Sequence, residues 1–440
     1  MTFLFFDLCY LLFLLTISPV IFYRVLVLGK YRDGLGEKFL GHVPILPEPS
    51  GKRIWFHAVS VGEVNLLRPL IRMISIRCPD WECVISSTSA TGHALAQKLY
   101  GGTHVVFYCP LDFSFAVRNA VRRIKPGMLV LAEQEIWPNM LGICRKNRIP
   151  VALINGRFSE AGYKRLKRIR GLWQRVMRKI DLAAVQSETY AAWFRDVGAN
   201  SDAVHVTGSM KFDGVGTDRG NPVTQSLVKL AGITPDDIVF LAGSTQEPEE
   251  ESALKTYLAL RKDWPHLRLI LVPRHPERFE SVAEMLERYN TVHTVSWSRR
   301  SQLSEPQKAG EVLLVDTVGE LGAWWGTAKI AFVGGSMGSR GGQNMLEPAA
   351  YGAAVCFGPN TKNFRDIVEI LLADEAAVVV HDESEMQRFV QQCLENPAFA
   401  EMLGTKAKSL VFQHLGATEK TLNLLKPFLT PHSHNSSPTS

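Results

Sequence analysis

The chain has 440 residues, 46% of them hydrophobic and 21% charged, which excludes a disordered, collagenous or coiled-coil protein and favours two domains. Its net charge of +6 conceals an asymmetry: residues 1–215 carry 28 basic and 16 acidic side chains, whereas residues 216–440 carry 21 and 27. A basic first half points to an anionic surface or partner, membrane or nucleic acid. The seven cysteines (9, 78, 83, 109, 144, 356 and 393) form no C-x-x-C pair or zinc-type cluster, and read as inert buried thiols in a reducing compartment.

Residues 3–28, FLFFDLCYLLFLLTISPVIFYRVLVL, carry no charge from Leu8 to Tyr23. About 20 apolar residues suffice to span a bilayer. No Lys or Arg precedes the run, while Arg24, Lys30 and Arg32 lie at its end or follow it. The pattern predicts an uncleaved signal anchor, with an interfacial helix as the alternative, and residues 30–440 on the cytoplasmic side.

From residue 29 to 214 the pattern alternates apolar strands with amphipathic helices. The expected strands are 53–59, 82–89, 104–110, 128–135, 150–156, 181–187 and 203–213. Continuous apolar strands of this kind belong to a parallel sheet covered on both faces. The polar stretch 215–226 reads as a linker, and the alternation restarts over 227–430 with strands at 238–245, 267–276, 312–317, 329–336, 353–359 and 376–382. The fold class is thus α/β: two doubly wound Rossmann-like domains facing a cleft, with ligands expected at the carboxyl ends of strands. Residues 431–440 read as a disordered tail.

In the second half, Gly243-Ser244-Thr245 closes a strand with hydroxyls and free N–H groups suited to a phosphate. Pro273 and Arg274 fix a guanidinium at the next strand end. In GGSMGSRGGQNMLEPAA (334–350) glycines permit close backbone approach, and Asn344 falls near a helix start. Any one of these could be an ordinary strand–helix turn, but three on one sheet edge suggest a nucleotide site. Neither the P-loop nor the dinucleotide fingerprint is present. In the first half, Glu63 (SVGE) either serves as a general base or simply complements a helix dipole. Glu133 and Glu135 end a strand and by alternation point to one side. Lys164–Lys179 reads as one basic amphipathic helix, suited to anionic lipid headgroups or simply packed on the sheet. No nucleic-acid motif accompanies the charge, so no nucleic-acid partner is expected.

The segments HAVSVGE (57–63), EQEIWPN (133–139), NGRFSE (155–160), TGSMKFD (207–213), VPRHPERF (272–279), VGEL (318–321), GGSMGSRGGQNMLEPA (334–349) and GPNTKNF (358–364) together resemble the 3-deoxy-D-manno-octulosonate (Kdo) transferases of lipopolysaccharide synthesis. The resemblance implies a GT-B fold and inverting transfer of Kdo from CMP-Kdo to a lipid A precursor (lipid IVA) at the inner membrane, with no metal and no cofactor. It implies that Glu63 is the general base and that Glu133 and Lys211 assist the transition state. It also implies that the CMP site uses Pro273 and Arg274, Val318, Gly319 and Glu320, and Asn344, Met345, Leu346 and Glu347, beside Ser244 and Thr245. Gln246 and Gln343 stand where the family has His, which predicts altered donor affinity through loss of about 1–2 kcal/mol of charge-assisted bonding at each position. The rival expectations are a GT-B transferase for another nucleotide sugar in an envelope glycolipid and a non-enzymatic membrane-tethered scaffold that binds anionic lipid.

Overall fold

The computed structural model describes residues 2–26, 33–49, 51–293, 295–308 and 310–429. The predicted tail 431–440, and residues 27–32 at the junction of the expected anchor and first domain, lie outside them. The chain forms two compact units: the residues up to Asp213 together with those from His414 on, and Gly214–Gln413.

The first unit is built on seven strands: β1 (Lys52–His57), β2 (Trp81–Ser87), β3 (Val105–Tyr108), β4 (Met128–Ala132), β5 (Val151–Gly156), β6 (Leu182–Val185) and β7 (Val204–Val206). They pair in the order β3-β2-β1-β4-β5-β6-β7, every pair parallel. The strands are apolar throughout because both faces are covered. Ile54 and Phe56 of β1 join one core with Leu67 and Leu70 of the helix Val61–Arg77, while Trp55 joins the other with Leu141 of the helix Pro138–Lys146.

The second unit repeats the plan with β8 (Ile238–Thr245), β9 (Leu267–Pro273), β10 (Trp297–Arg299), β11 (Val312–Leu314), β12 (Ile330–Val333), β13 (Ala354–Phe357) and β14 (Ala377–Val379), in the order β10-β11-β9-β8-β12-β13-β14. All pairs are again parallel. The short β10 has no apolar run to announce it and was not expected from the sequence.

Several expectations are corrected. Among the described residues no helix is long and apolar enough to cross a membrane. The helix Thr2–Leu26, expected to span, instead docks its first turns on the first unit. Phe6 enters the core, and Phe3 and Tyr10 pack beside it. Asp7 accepts hydrogen bonds from Ser114 N (2.7 Å), Ser114 Oγ (2.6 Å) and Asn139 Nδ2 (2.9 Å), and Tyr10 donates to buried Asp112 (2.9 Å). The face of the helix that carries Asp7 and Tyr10 is thereby turned to protein. Its outer residues, among them Leu4, Phe5, Leu8, Leu12 and Phe13, are exposed, and so is Cys9, expected to be buried.

Second, Lys164–Lys179 is not one helix. Helices Glu160–Arg168 and Arg170–Met177 meet at Ile169, whose ψ of 24° breaks the run. Leu166, Trp173, Val176 and Ile180 still face the core, but Ile169 is exposed. Third, the expected strand 203–213 stops at Val206; Gly208, at φ 89°, turns the chain and Lys211 lies in the 3₁₀ turn Met210–Phe212. Fourth, the helix Ala417–Leu429, expected in the second domain, belongs to the first. Its Leu422, Leu425 and Leu429 join the core of Phe56 and Leu70, and Trp81 Nε1 donates to Leu429 O at 2.6 Å. Asp213 caps its start, accepting from Gly416 N (2.7 Å) and Thr418 N (2.6 Å). The expected linker residue Arg219 is likewise docked, donating to the carbonyls of Tyr351, Gly326 and Ala328 within the second unit.

Because Leu422 is fully buried, Leu422→Ala should destabilise the first unit by about 2–5 kcal/mol, read as a lower urea midpoint of its transition followed by tryptophan fluorescence.

Candidate active site

Glu63 enters the site through its backbone. Ser60 caps the helix Val61–Arg77: its Oγ accepts from Glu63 N (3.3 Å) and donates to Glu63 Oε1 (2.7 Å), while Glu63 Oε2 accepts from Val59 N (2.8 Å). This is a variant of the capping box in which the carboxylate takes the N–H of Val59 in place of that of the cap residue Ser60, so Glu63 does serve the helix start. The carboxyl group is nevertheless buried, and burial raises its pKa above the ordinary glutamate value against the pull of those two donors. Glu133 and Lys211 are close enough to act on it electrostatically, the first raising and the second lowering its pKa. Capping and base strength are therefore properties of one residue.

Glu133 follows the last residue of β4 in the left-handed region, at φ 55°. A non-glycine residue is held there only when its surroundings over-determine it. Its backbone N–H bonds Ile154 O (2.9 Å), and its carboxylate lies between two cations: Lys211 Nζ at 2.7 Å from Oε1 and Arg157 Nε at 2.8 Å from Oε2. Asn155, at φ 53° in β5, donates to Glu133 Oε1 (3.4 Å) and accepts from Met210 N (2.9 Å), fixing the turn that carries Lys211.

Glu135 adds a third carboxyl group. Trp137 Nε1 donates to it at 2.9 Å, and His57 Nε2 lies 4.0 Å away. Burial, with Glu63 and Glu133 nearby, pushes its pKa from 4.5 up to about 7. His57, at the end of β1, is fully buried beside Ser86 Oγ (3.0 Å), and burial pushes it down to about 4, so its ring is neutral at physiological pH. His57 Nε2 has no hydrogen-bond partner among the described residues.

In the second unit, Ser244, the last residue but one of β8, stands at φ 56°, and a Cβ on Gly243 would lie 2.5 Å from the Trp325 ring. Thr245 Oγ1 is buried without a partner among the described residues, and Arg274 N bonds Thr245 O at 3.0 Å. Arg274 is exposed, and its charge acts on half-buried Glu347, whose carboxyl group accepts from Asn344 Nδ2 (3.1 Å). The other expected donor residues divide by exposure. Val318 and Gly319 are exposed, but the Glu320 carboxylate is already bound by Arg300 (2.8 and 3.1 Å), Thr317 Oγ1 (2.7 Å) and Trp324 Nε1 (3.3 Å). The side chains of Pro273, Met345 and Leu346 are buried, so only their backbone could meet a ligand. A cavity of about 460 Å³ opens beside these strand ends, lined among others by Gln246, His275, Arg278, Gly335, Ser339 and Arg340. Gln246, which lines it, and Gln343 converge on Gly335: a Cβ there would lie 3.6 Å and 3.3 Å from their respective Nε2 atoms. Among the described residues no group of three His, Cys, Asp or Glu side chains is arranged to hold a metal ion.

A sequence profile described as "3-Deoxy-D-manno-octulosonic-acid transferase (kdotransferase)" matches residues 33–214. The 3-deoxy-D-manno-octulosonic acid transferase of Haemophilus influenzae is 31% identical over 91% of this chain and 92% of its own length. That of Bordetella pertussis is 33% identical over 87% and 89%. The chain belongs to the Kdo transferase family. Its fold, two parallel-sheet α/β units of GT-B type, is also that of UDP-GlcNAc 2-epimerase from Neisseria meningitidis, at a TM-score of 0.51 and 12% identity over 85% of this chain and 100% of that one.

Within this Kdo transferase, the structure gathers Glu63, Glu133 and Lys211 as the sequence suggested, and adds His57, Asn155 and Arg157. Nothing in the spacing of these three marks them, because their role depends on which strands lie side by side. Glu249 was missed as well, although it stands three residues after Gln246, a spacing at which an acid reaches back to the backbone. Glu135 gives a pH test. Between about pH 4.5 and 7 the folded chain keeps a proton there that the unfolded chain has lost, so this group costs stability as pH rises through that window. Glu135→Gln removes the cost; its melting temperature relative to the parent chain should rise from pH 5 to pH 7.5, and a pH-independent difference would contradict the assignment.

Proposed function

We propose that this Kdo transferase moves Kdo from CMP-Kdo to a lipid A precursor, lipid IVA, inverting the anomeric centre. The observation that carries the reading is the buried carboxyl group of Glu63 grouped with Glu133 and Lys211. A raised pKa makes Glu63 a stronger base than a solvated glutamate, and deprotonated Glu63 takes the proton of the acceptor hydroxyl as its oxygen attacks the anomeric carbon. The bond from that carbon to the CMP phosphate breaks, and CMP departs with the bonding pair. Lys211 and Arg157 offset the charge of Glu133, which in this reading orients the sugar without adding a second free anion. On the donor side, Arg274, the N–H groups around Ser244 and Thr245, Val318 to Glu320 and Asn344 to Glu347 receive the nucleotide.

The acceptor side has a basic surface at 164–179 and the exposed leucines and phenylalanines of the helix Thr2–Leu26. Together these suit a phosphorylated glycolipid presented at a membrane surface, and support interfacial association with the cytoplasmic face of the inner membrane. A transferase for a different nucleotide sugar is the rival, and the scaffold reading leaves the buried base unexplained.

Transfer of labelled Kdo from CMP-Kdo to lipid IVA, with mass analysis of the product, is the test. Glu63→Ala should lower the rate by about 10²–10⁴-fold, and undiminished transfer would remove the general-base assignment. For the intact enzyme, kcat/KM should fall on the acid side at a pH above the ordinary glutamate range, because the base must be deprotonated. CMP should raise the melting temperature more than UDP does; the reverse order would exclude the donor named here.

A further inference from the structure

The glycine-rich loop after β12 is shaped to receive an anion, yet one already sits in it. Glu249, in the first turn of the helix Glu249–Leu260, turns its carboxyl group into the loop and is almost fully buried. Its Oε2 accepts from Gly335 N (2.7 Å) and Gln246 N (2.9 Å), and its Oε1 from Ser336 N (2.9 Å) and Met337 N (2.9 Å). Both oxygens accept twice from N–H groups, the pattern of an ionised carboxylate. The packing is close on every side: a Cβ on Gly334 would lie 2.8 Å from Glu249 Oε2 and 2.6 Å from Thr245 Cα.

Those four donors come from two loops, one following β8 and one following β12, strands that pair directly through Gly243 and Val333. A third loop is tied to the same helix start. Arg278, beyond β9, reaches both oxygens of Glu250 (3.2 and 3.1 Å) and one of Glu247 (3.4 Å). All three loops line the cavity of about 460 Å³.

We propose that Glu249 is an internal anion: its carboxylate fills the N–H nest of the 334–337 loop and thereby sets the positions of the two loops that receive the donor nucleotide. It is a positioning residue, not one that meets the reacting atoms. This inference rests on the donor-site reading above and extends it in one respect. The amides of Gly335, Ser336 and Met337 are spent on Glu249, so the donor phosphate is received elsewhere on the rim, where Arg274 and Arg340 are exposed.

The test measures CMP binding to the full-length protein by calorimetry. Glu249→Gln keeps the shape but replaces one acceptor oxygen by an NH₂ group that opposes two backbone N–H groups. It should weaken CMP binding by about 10-fold or more while cooperative unfolding persists. In assays of transfer the loss should appear in KM for the donor more than in kcat. Glu249→Ala vacates the nest, and sodium formate or acetate should recover CMP binding where sodium chloride at equal ionic strength does not. A Glu249→Gln variant that binds CMP as tightly as the parent overturns the proposal. So does a folded Glu249→Ala variant whose loss of binding no carboxylate recovers. If Glu249→Ala does not fold, Glu249→Gln decides alone. If the parent chain binds UDP in place of CMP, the donor assignment fails, and the same variants read out the Glu249 proposal through UDP affinity.

Discussion

Where β1 lies beside β4, and β8 beside β12, a strand early in each unit is paired with one that comes much later in the chain. In the first unit the helices that follow such neighbours depart to opposite faces, so the two strand ends leave a notch that neither helix covers. Glu63 follows β1, Glu133 and Glu135 follow β4, Asn155 lies in β5 next door, and Arg157 follows it. In the second unit Ser244 and Thr245 end β8, and the glycine-rich loop follows β12. The candidate site residues collect at these junctions, where sheet order leaves strand-end backbone groups uncovered.

The charge arrangement in the first unit follows from that crowding. Three carboxyl groups and one imidazole share a buried space, and a set of like charges cannot all ionise cheaply. The structure separates their roles by partner. Glu133 lies between Lys211 and Arg157; Glu63 has two local donors that do not fully offset its burial; Glu135 has one indole N–H and sits near half-protonation at neutral pH; His57 stays neutral. The cost of holding Glu133 and Asn155 at positive φ is met by the hydrogen bonds and ion pairs around them, which serve the site and the fold at once.

Much of this was legible in the sequence. Thirteen of the fourteen strands among the described residues follow from apolar runs between turn residues, and the capping pattern of Ser60 with Glu63 is visible as S-x-x-E. The site residues that escaped did so for a physical reason. His57, Asn155 and Arg157 matter because of the strand that lies beside theirs, and strand order is not a local property. Glu249 belongs to a run of acids that reads as a solvated helix start until its carboxylate is seen inside the glycine-rich loop. Local periodicity also misled. Apolar length in residues 3–28 suggests a span because composition does not report that Asp7 and Tyr10 are bound to Ser114, Asn139 and Asp112. The stripe at 164–179 runs through a break at Ile169 that the hydrophobic spacing does not encode.

The return of the final helix to the first unit has a consequence for how this chain is made. The second unit is an uninterrupted stretch, Gly214–Gln413, and holds all seven strands of its own sheet. The first unit is discontinuous: its sheet is complete by Val206, yet Leu422, Leu425 and Leu429, which cover one side of it, are more than 200 residues further on. During synthesis from the amino terminus, the earlier unit must therefore wait with part of its core uncovered while the later one emerges and folds. The helix Ala417–Leu429 acts as a latch, so a chain stopped before it would hold its inserted unit whole and leave its first unit ajar.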